Sequence, residues 1–216
     1  TTLQHVYEKV PTRTVVVCAM GDMLGFAKGL LVNFVVRNVK KMVPEYTLPN
    51  ALRWNEVLAD GLRMTLKKVD VKLDDTAFLQ YTGGTTGVSK GAQLLHRNIV
   101  ANVLQSEAWY QPALKKMKPG EQLTVITALP LYHIFALTAC AMLSARVGGH
   151  CVLIPNPRDI PGFVKELAKY KFNVFPAVNT LYNGLMHNEE FSKLDFGHLL
   201  VSLGGGMAVQ QALAEK

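Results

Sequence analysis

The chain alternates between short β-branched or apolar runs and longer stretches in which apolar residues return every three or four positions, the pattern of strands followed by helices. Residues 14–18 form the first β-branched run. Leu30, Leu31, Phe34, Val35, Val39 and Met42 then recur at helical spacing until Pro44 stops them. Residues 44–49 read as a loop, a short helix is expected near 55–62, and a charged connector over 67–75 leads into a strand at 77–81. After it, Ile99, Val100, Val103, Leu104 and Ala108 share one face of a helix. From Leu123 the alternation becomes regular: 123–129, 151–154, 172–175 and 199–203 read as strands, and 134–145, 161–170 and 180–187 as helices. Asp159, ahead of Pro161, is a start signal through side-chain capping and proline's preset φ. This order predicts an α/β fold of largely parallel sheets covered by helices. Val209, Ala212 and Leu213 open another helical stripe that runs to Lys216 without a stop signal, so the chain is expected to be a piece of a longer protein.

One apolar stretch tests that reading. Residues 125–145 contain no Asp, Glu, Lys or Arg and are long enough to span a bilayer. Pro130 and His133 interrupt them, and Gly148, Gly149 and another strand-like run follow at once, so strand, loop and buried helix fit better than a membrane span. With 216 residues, 49% of them apolar, the chain can bury a sizeable core. Its net charge of +7 gathers at Arg37/Lys40/Lys41, at Arg63/Lys67/Lys68/Lys72 and at Lys115/Lys116/Lys118. Such clusters can attract anionic lipid or a polyphosphate, but short basic clusters without interleaved aromatics are more often solvated helix and loop faces, and no nucleic-acid partner is expected. Cys18, Cys140 and Cys151 are odd in number and widely spaced, suggesting neither a metal site nor a disulfide framework, and pointing to a reducing cytoplasmic setting. No basic, apolar, small-residue pattern marks a signal peptide.

The richest chemistry lies in "QYTGGTTGVSKGAQLLH", Gln80 to His96. Gly83, Gly84 and Gly87 let a backbone turn sharply and bring N–H groups close to an anion, Thr82, Thr85 and Thr86 add hydroxyls, and Lys90 adds a charge. Together they suit a polyphosphate. The spacing is not that of the NTPase P-loop, because Ser89 precedes Lys90 and Gly91 follows it, and adjacent Gly83 and Gly84 do not make a dinucleotide fingerprint. A plain turn between two strands would account for the glycines but not for the threonines and lysine among them.

"YTGGTTGVSKG" resembles the phosphate-loop signature of the adenylate-forming superfamily. In the same order, "LPLYHIFALT", "NPRDIPGFVKELAKY" and "LGGGMAVQQ" look like bacterial long-chain fatty acyl-CoA synthetases, and the likeness covers essentially the whole chain. The resemblance implies that residues 1–216 belong to the large N-terminal AMP-binding (adenylation) domain, with the phosphate loop at 81–92. It further implies that a fatty carboxylate attacks the α-phosphate of ATP, pyrophosphate leaves, and the thiol of coenzyme A displaces AMP. Residues Tyr81, Thr82, Gly83, Gly84, Thr85, Thr86, Gly87, Val88, Ser89, Lys90, Gly91 and Ala92 would then cradle the phosphates, with Thr82 beside Mg2+ and Thr82, Lys90 and His133 in catalytic roles. Gly204, Gly205, Gly206 and Met207 would lie against adenine and the activated acyl group. The chain departs from the commonest pattern at Ser89, where proline is usual, and at Gly83, where serine is frequent.

In amino-acid-activating relatives an aspartate follows the aromatic residue of the second motif; here the pair is Tyr132 and His133. A buried ammonium group would have no partner, so a long-chain fatty acid without an α-amino group is the expected substrate. Phe135, Leu137, Met142 and Leu143 are candidates for the wall of an acyl channel, although helical spacing alone does not separate a wall from core filling. Some long-chain relatives carry a gating tryptophan at the position of Leu137. The family's magnesium-holding glutamate, its ribose-gripping aspartate and its lysine-bearing C-terminal domain have no counterpart in these residues, so the piece alone is not expected to be competent. The alternatives are a nucleotide-binding piece without chemistry and adenylation of another carboxylic acid. A homodimer and peripheral contact with the inner face of the cytoplasmic membrane are compatible with this reading.

Overall fold

The computed structural model describes residues 2–7, 9, 14–82 (Thr82 by its backbone) and 89–215. The chain divides into two units, Thr1–Asp70 and Val71–Lys216. The first holds α1 (Thr2–Val6), β1 (Val16–Val17), α2 (Phe26–Phe34), β2 (Leu52–Arg53) and α3 (Trp54–Gly61). β1 and β2 pair in parallel over Val16↔Leu52 and Val17↔Arg53. Gly29 lets α2 approach the chain at Gly21, where an added Cβ would lie 2.5 Å from the Gly21 carbonyl oxygen. Asn33 holds the same crossing, its Oδ1 accepting from Gly21 N–H at 2.7 Å and its Nδ2 donating to Asp22 Oδ1 at 3.1 Å. The helix continues at π pitch over Val35–Val39 and stops short of Met42, because Lys41 adopts a left-handed conformation (φ 49°).

The second unit opens with an antiparallel hairpin, β3 (Thr76–Thr82) and β4 (Lys90–Leu95), followed by α4 (His96–Leu114). Sequence patterning does not mark β4, which is short, mostly exposed and opens with Lys90, Gly91 and Ala92; its state comes from the ladder with β3. On α4 the buried face is Ile99, Val103 and Tyr110, whereas Val100 and Leu104 stay half exposed. Four strands then form a parallel sheet: β5 (Thr124–Thr127), β6 (His150–Leu153), β7 (Val174–Ala177) and β8 (Val201–Gly204), in the spatial order β6-β5-β7-β8. Between them run α5 (Ile134–Ala136), a π-pitched stretch Leu137–Met142 and α6 (Leu143–Val147) after β5, then α7 (Ile160–Leu167) after β6, and α8 (Asn179–Met186) and α9 (Glu189–Ser192) after β7. α10 (Gln211–Ala214) follows β8.

Alternation along the strands makes two cores. Ile126, Val152 and Phe175 face α7 and α8 with Phe163, Leu167 and Leu185. Val125, Val174 and Val201 face the other way, against Tyr110, Cys140 and Leu143. Burial on both faces is why the central strands β5 and β7 read as continuous apolar runs, while the edge strands β6 and β8 are only partly buried. Residues 125–145 thus divide into β5, a turn and a helical rod, and among the described residues no helix is long and apolar enough to cross a membrane. Asp159 caps α7 as expected, its Oδ1 accepting from Gly162 N–H at 3.1 Å.

Candidate functional site

In a parallel sheet every strand delivers its C-terminal end to the same edge, and ligands bind there where the strand order reverses. Here β5 leads outward to β6, and the chain returns to the other side of β5 to form β7, which puts the reversal between β5 and β7. The segments leaving all four strands meet around one cavity of about 610 Å³. Ala128, Leu129 and Pro130 come from β5, Pro157 and Arg158 from β6, Val178 from β7 and Gly206 from β8.

His133 lies on this cavity at the start of α5. Its Nδ1 accepts from Phe135 N–H at 3.2 Å and caps the helix. In the neutral imidazole this leaves the proton on Nε2, so the ring offers a donor to a ligand rather than a base. Phe135 also lines the cavity, and its ring packs so closely on Gly205 that a Cβ there would lie 2.7 Å from it. Gly206 turns at φ +78° beside Val178, and Gly205 N–H donates to Ala177 O at 3.2 Å. A side chain at Gly204 would collide with Val209. Asn179, buried at the start of α8, accepts from Gln210 N–H at 3.0 Å and so ties down the far end of this glycine segment. Met207 is 53% exposed.

The hairpin carries the other motif. Thr82 pairs with Lys90 at its mouth, and the ring of Tyr81 lies over Gly91, where a Cβ would meet it at 3.1 Å. Ser89, Lys90, Gly91 and Ala92 are exposed. Gly83, Gly84, Thr85, Thr86, Gly87 and Val88 lie outside the described residues, as does the side chain of Thr82. Gln80 Nε2 donates to Tyr132 O at 3.1 Å, joining the hairpin to the turn that carries His133.

Part of the expected acyl wall is elsewhere. Leu143 is 1% exposed and fills the core, and neither Leu137 nor Met142 lines the cavity; of that stripe only Phe135 does. The wall is made instead by Ile160 at the start of α7 and by Thr180, Leu181 and Gly184 on α8. Their amphipathic spacing is that of any core-facing helix, so no sequence signal singled them out. Tyr182 anchors α8 from behind, donating to Phe175 O and lying 2.8 Å from Ser202 Oγ, and burial pushes its pKa up. The residues lining the cavity include Arg158 and no carboxylate. Burial pushes the Cys140 thiol up to about 11, which keeps it protonated and unsuited as a nucleophile near neutral pH.

A family model described as "AMP-binding enzyme" matches residues 3–216. A long-chain-fatty-acid–CoA ligase of Yersinia pestis is 56% identical over 215 residues, covering 100% of this chain and 38% of the relative. The chain spans about 38% of the length of such curated relatives. Among solved structures, the inhibitor-bound N-terminal domain of FACL13 from Mycobacterium tuberculosis superposes with a TM-score of 0.64 at 22% identity, covering 99% of this chain and 50% of that one. A fatty acyl-adenylate ligase from L. pneumophila, in complex with acyl adenylate and pyrophosphate, gives 0.64 at 20% identity, covering 99% of this chain and 34% of that one. Both carry the α/β fold described above. With a hairpin, a histidine turn and a glycine segment gathered at one sheet edge, and a family match along nearly its whole length, this chain belongs to the AMP-binding enzyme family.

Proposed function

We propose that the chain is part of the adenylation domain of a ligase that activates long-chain fatty acids with ATP and passes the acyl group to coenzyme A. One observation carries this reading: motifs far apart in sequence meet at one sheet edge, through Gln80 on Tyr132 and Phe135 on Gly205, around a cavity with largely apolar walls. The similarity to the Yersinia ligase supports the same choice of substrate class.

In this reading the loop closed by Thr82 and Lys90 holds the β- and γ-phosphates, with backbone N–H groups and the Lys90 ammonium neutralising charge as pyrophosphate leaves. The fatty carboxylate enters beside His133, whose Nε2–H holds one oxygen while the other attacks the α-phosphorus. Gly204 and Gly205 make room for Val209 and Phe135, and Gly206, whose missing side chain would meet only Val178, leaves the backbone open to a flat adenine and the new acyl-phosphate. The thiol of coenzyme A then attacks the acyl carbon, and AMP departs with the bonding electrons. Magnesium, entering with ATP, would neutralise phosphate charge, and the Thr82 hydroxyl is its proposed protein contact. An amino acid fits poorly, because its ammonium group would meet Arg158 and no carboxylate on the cavity wall.

The test is exchange of labelled pyrophosphate into ATP by the full-length protein. Hexadecanoate is expected to drive it and leucine or phenylalanine not to, with hexadecanoyl-CoA formed when coenzyme A is added. Exchange with amino acids overturns the substrate class, and no exchange with any acid supports a nucleotide-binding piece without chemistry. We also assign the full protein to the cytoplasm, as monomer or homodimer, with exposed Lys115, Lys116 and Lys118 drawing it to an anionic membrane surface. Binding to anionic vesicles should then weaken as salt shortens the Debye length below about 10 Å, and salt-independent binding removes the electrostatic part.

A further inference from the structure

Gly184 is the sixth of the eight residues of α8 and faces the cavity, one turn beyond Thr180 and Leu181. Glycine inside a helix weakens it relative to alanine, so its presence there calls for a reason. The usual reasons fail. Gly184 is not among the glycines with positive φ. Nor does backbone or ring crowd it: a Cβ at this position would find only the Ile160 side chain, at 3.4 Å to Cδ1 and 3.8 Å to Cγ1, which is ordinary van der Waals contact. A methyl group therefore fits in contact with Ile160, and anything longer is turned aside into the cavity that both residues line. What the glycine provides is a wall beside Ile160 to which it adds no side chain of its own. The elements around it agree, because Leu185 next door is fully buried and anchors α8, so the helix cannot easily retreat to make room.

We propose that Gly184 sets how long an acyl chain the cavity accepts, by adding no side chain to the wall beside Ile160, along which the far methylenes of a long fatty acid would lie. The inference rests on the fatty-acid reading above. Each methylene kept out of apolar surroundings costs about 0.8 kcal/mol, or about fourfold in affinity, so a side chain that displaces two or three of them changes length preference by about 10- to 100-fold.

The experiment uses the full-length protein and follows acyl-CoA formation with octanoate, dodecanoate and hexadecanoate, comparing wild type with Gly184→Ala and Gly184→Leu. In Gly184→Leu the ratio of kcat/KM for hexadecanoate to that for octanoate is expected to fall by about 10- to 100-fold, while the KM for ATP moves little. Gly184→Ala should shift the ratio by less than about fourfold, the value of one methylene. Adding Ile160→Ala to Gly184→Leu reopens the space and should restore hexadecanoate, which also covers a single variant that folds poorly. A uniform loss over all three acids, or a double variant that leaves the length profile of Gly184→Leu unchanged, overturns the proposal and assigns Gly184 to packing alone. The broader reading fails separately, when wild type itself takes none of these acids.

Discussion

Thr82 pairs with Lys90 across the loop they close, in a hairpin whose strands are neighbours in sequence and whose described residues beside the loop, Tyr81, Ser89 and Lys90, are exposed. The cavity beyond β5, β6, β7 and β8 is walled by four separate segments, within residues 128–135, 157–160, 178–184 and at 206, most of them apolar. The two places handle opposite ends of the proposed reaction. In that proposal the loop acts on charge, and its contribution would be the same whatever tail the acid carries. Apolar walls act through area removed from water, and their contribution grows with every methylene. The difference teaches that rate and chain-length preference should be separable by mutation in the full-length protein.

The strongest way to break that separation is at the loop. Thr85→Ala with Thr86→Ala is expected to slow acyl-adenylate formation by about 100-fold or more for every fatty acid, without changing which acid is preferred. Pyrophosphate exchange across several chain lengths reads both quantities, and a folded double variant near wild-type rate removes the phosphate role. An intermediate effect is expected where the cavity and the glycine segment touch. Gly205→Ala places a methyl group where 2.7 Å separates a Cβ from the Phe135 ring, and overpacking of this kind costs about 1 to 3 kcal/mol. Activity should fall by about tenfold and recover in part when Phe135→Leu removes the ring edge; no coupling between the two changes in a double-mutant cycle refutes that contact. The smallest effect is expected at the bridge between the two regions. Gln80→Leu removes one exposed hydrogen bond to Tyr132 O, worth about 1 kcal/mol, so roughly a fivefold loss should apply equally to short and long acids. A loss that depends on chain length would mean that the hairpin helps to shape the cavity.

Much of this arrangement was legible in advance. β5 and β7 announce themselves because strands buried on both faces need unbroken apolar runs, β6 and β8 through short apolar runs that alternate with helices, and α7 because Asp159 and Pro161 mark its start. Other features were hidden. β4 is held by its ladder to β3 rather than by its own composition, and the first long helix ends on the left-handed Lys41 rather than near Pro44. Leu143 and Phe135 share one apolar stripe, yet one fills the core and the other faces the cavity.

A phosphate loop needs neighbouring glycines, hydroxyls and a lysine, and neighbours are what a sequence displays directly; the alternation of buried strands and amphipathic helices is likewise a local property. Family membership and the α/β class were therefore readable residue by residue. A cavity wall is a surface shared by side chains from distant segments, and periodicity records only that a residue faces inward, not what stands opposite it. That Gly184 stands beside Ile160 on the cavity wall, that Gln80 reaches Tyr132, and that Phe135 rests on Gly205 were decided by the packing of α7 and α8 and by the reversal of strand order between β5 and β7. Contacts between distant segments exist only once the chain has closed around its core, and so only the tertiary structure could place them.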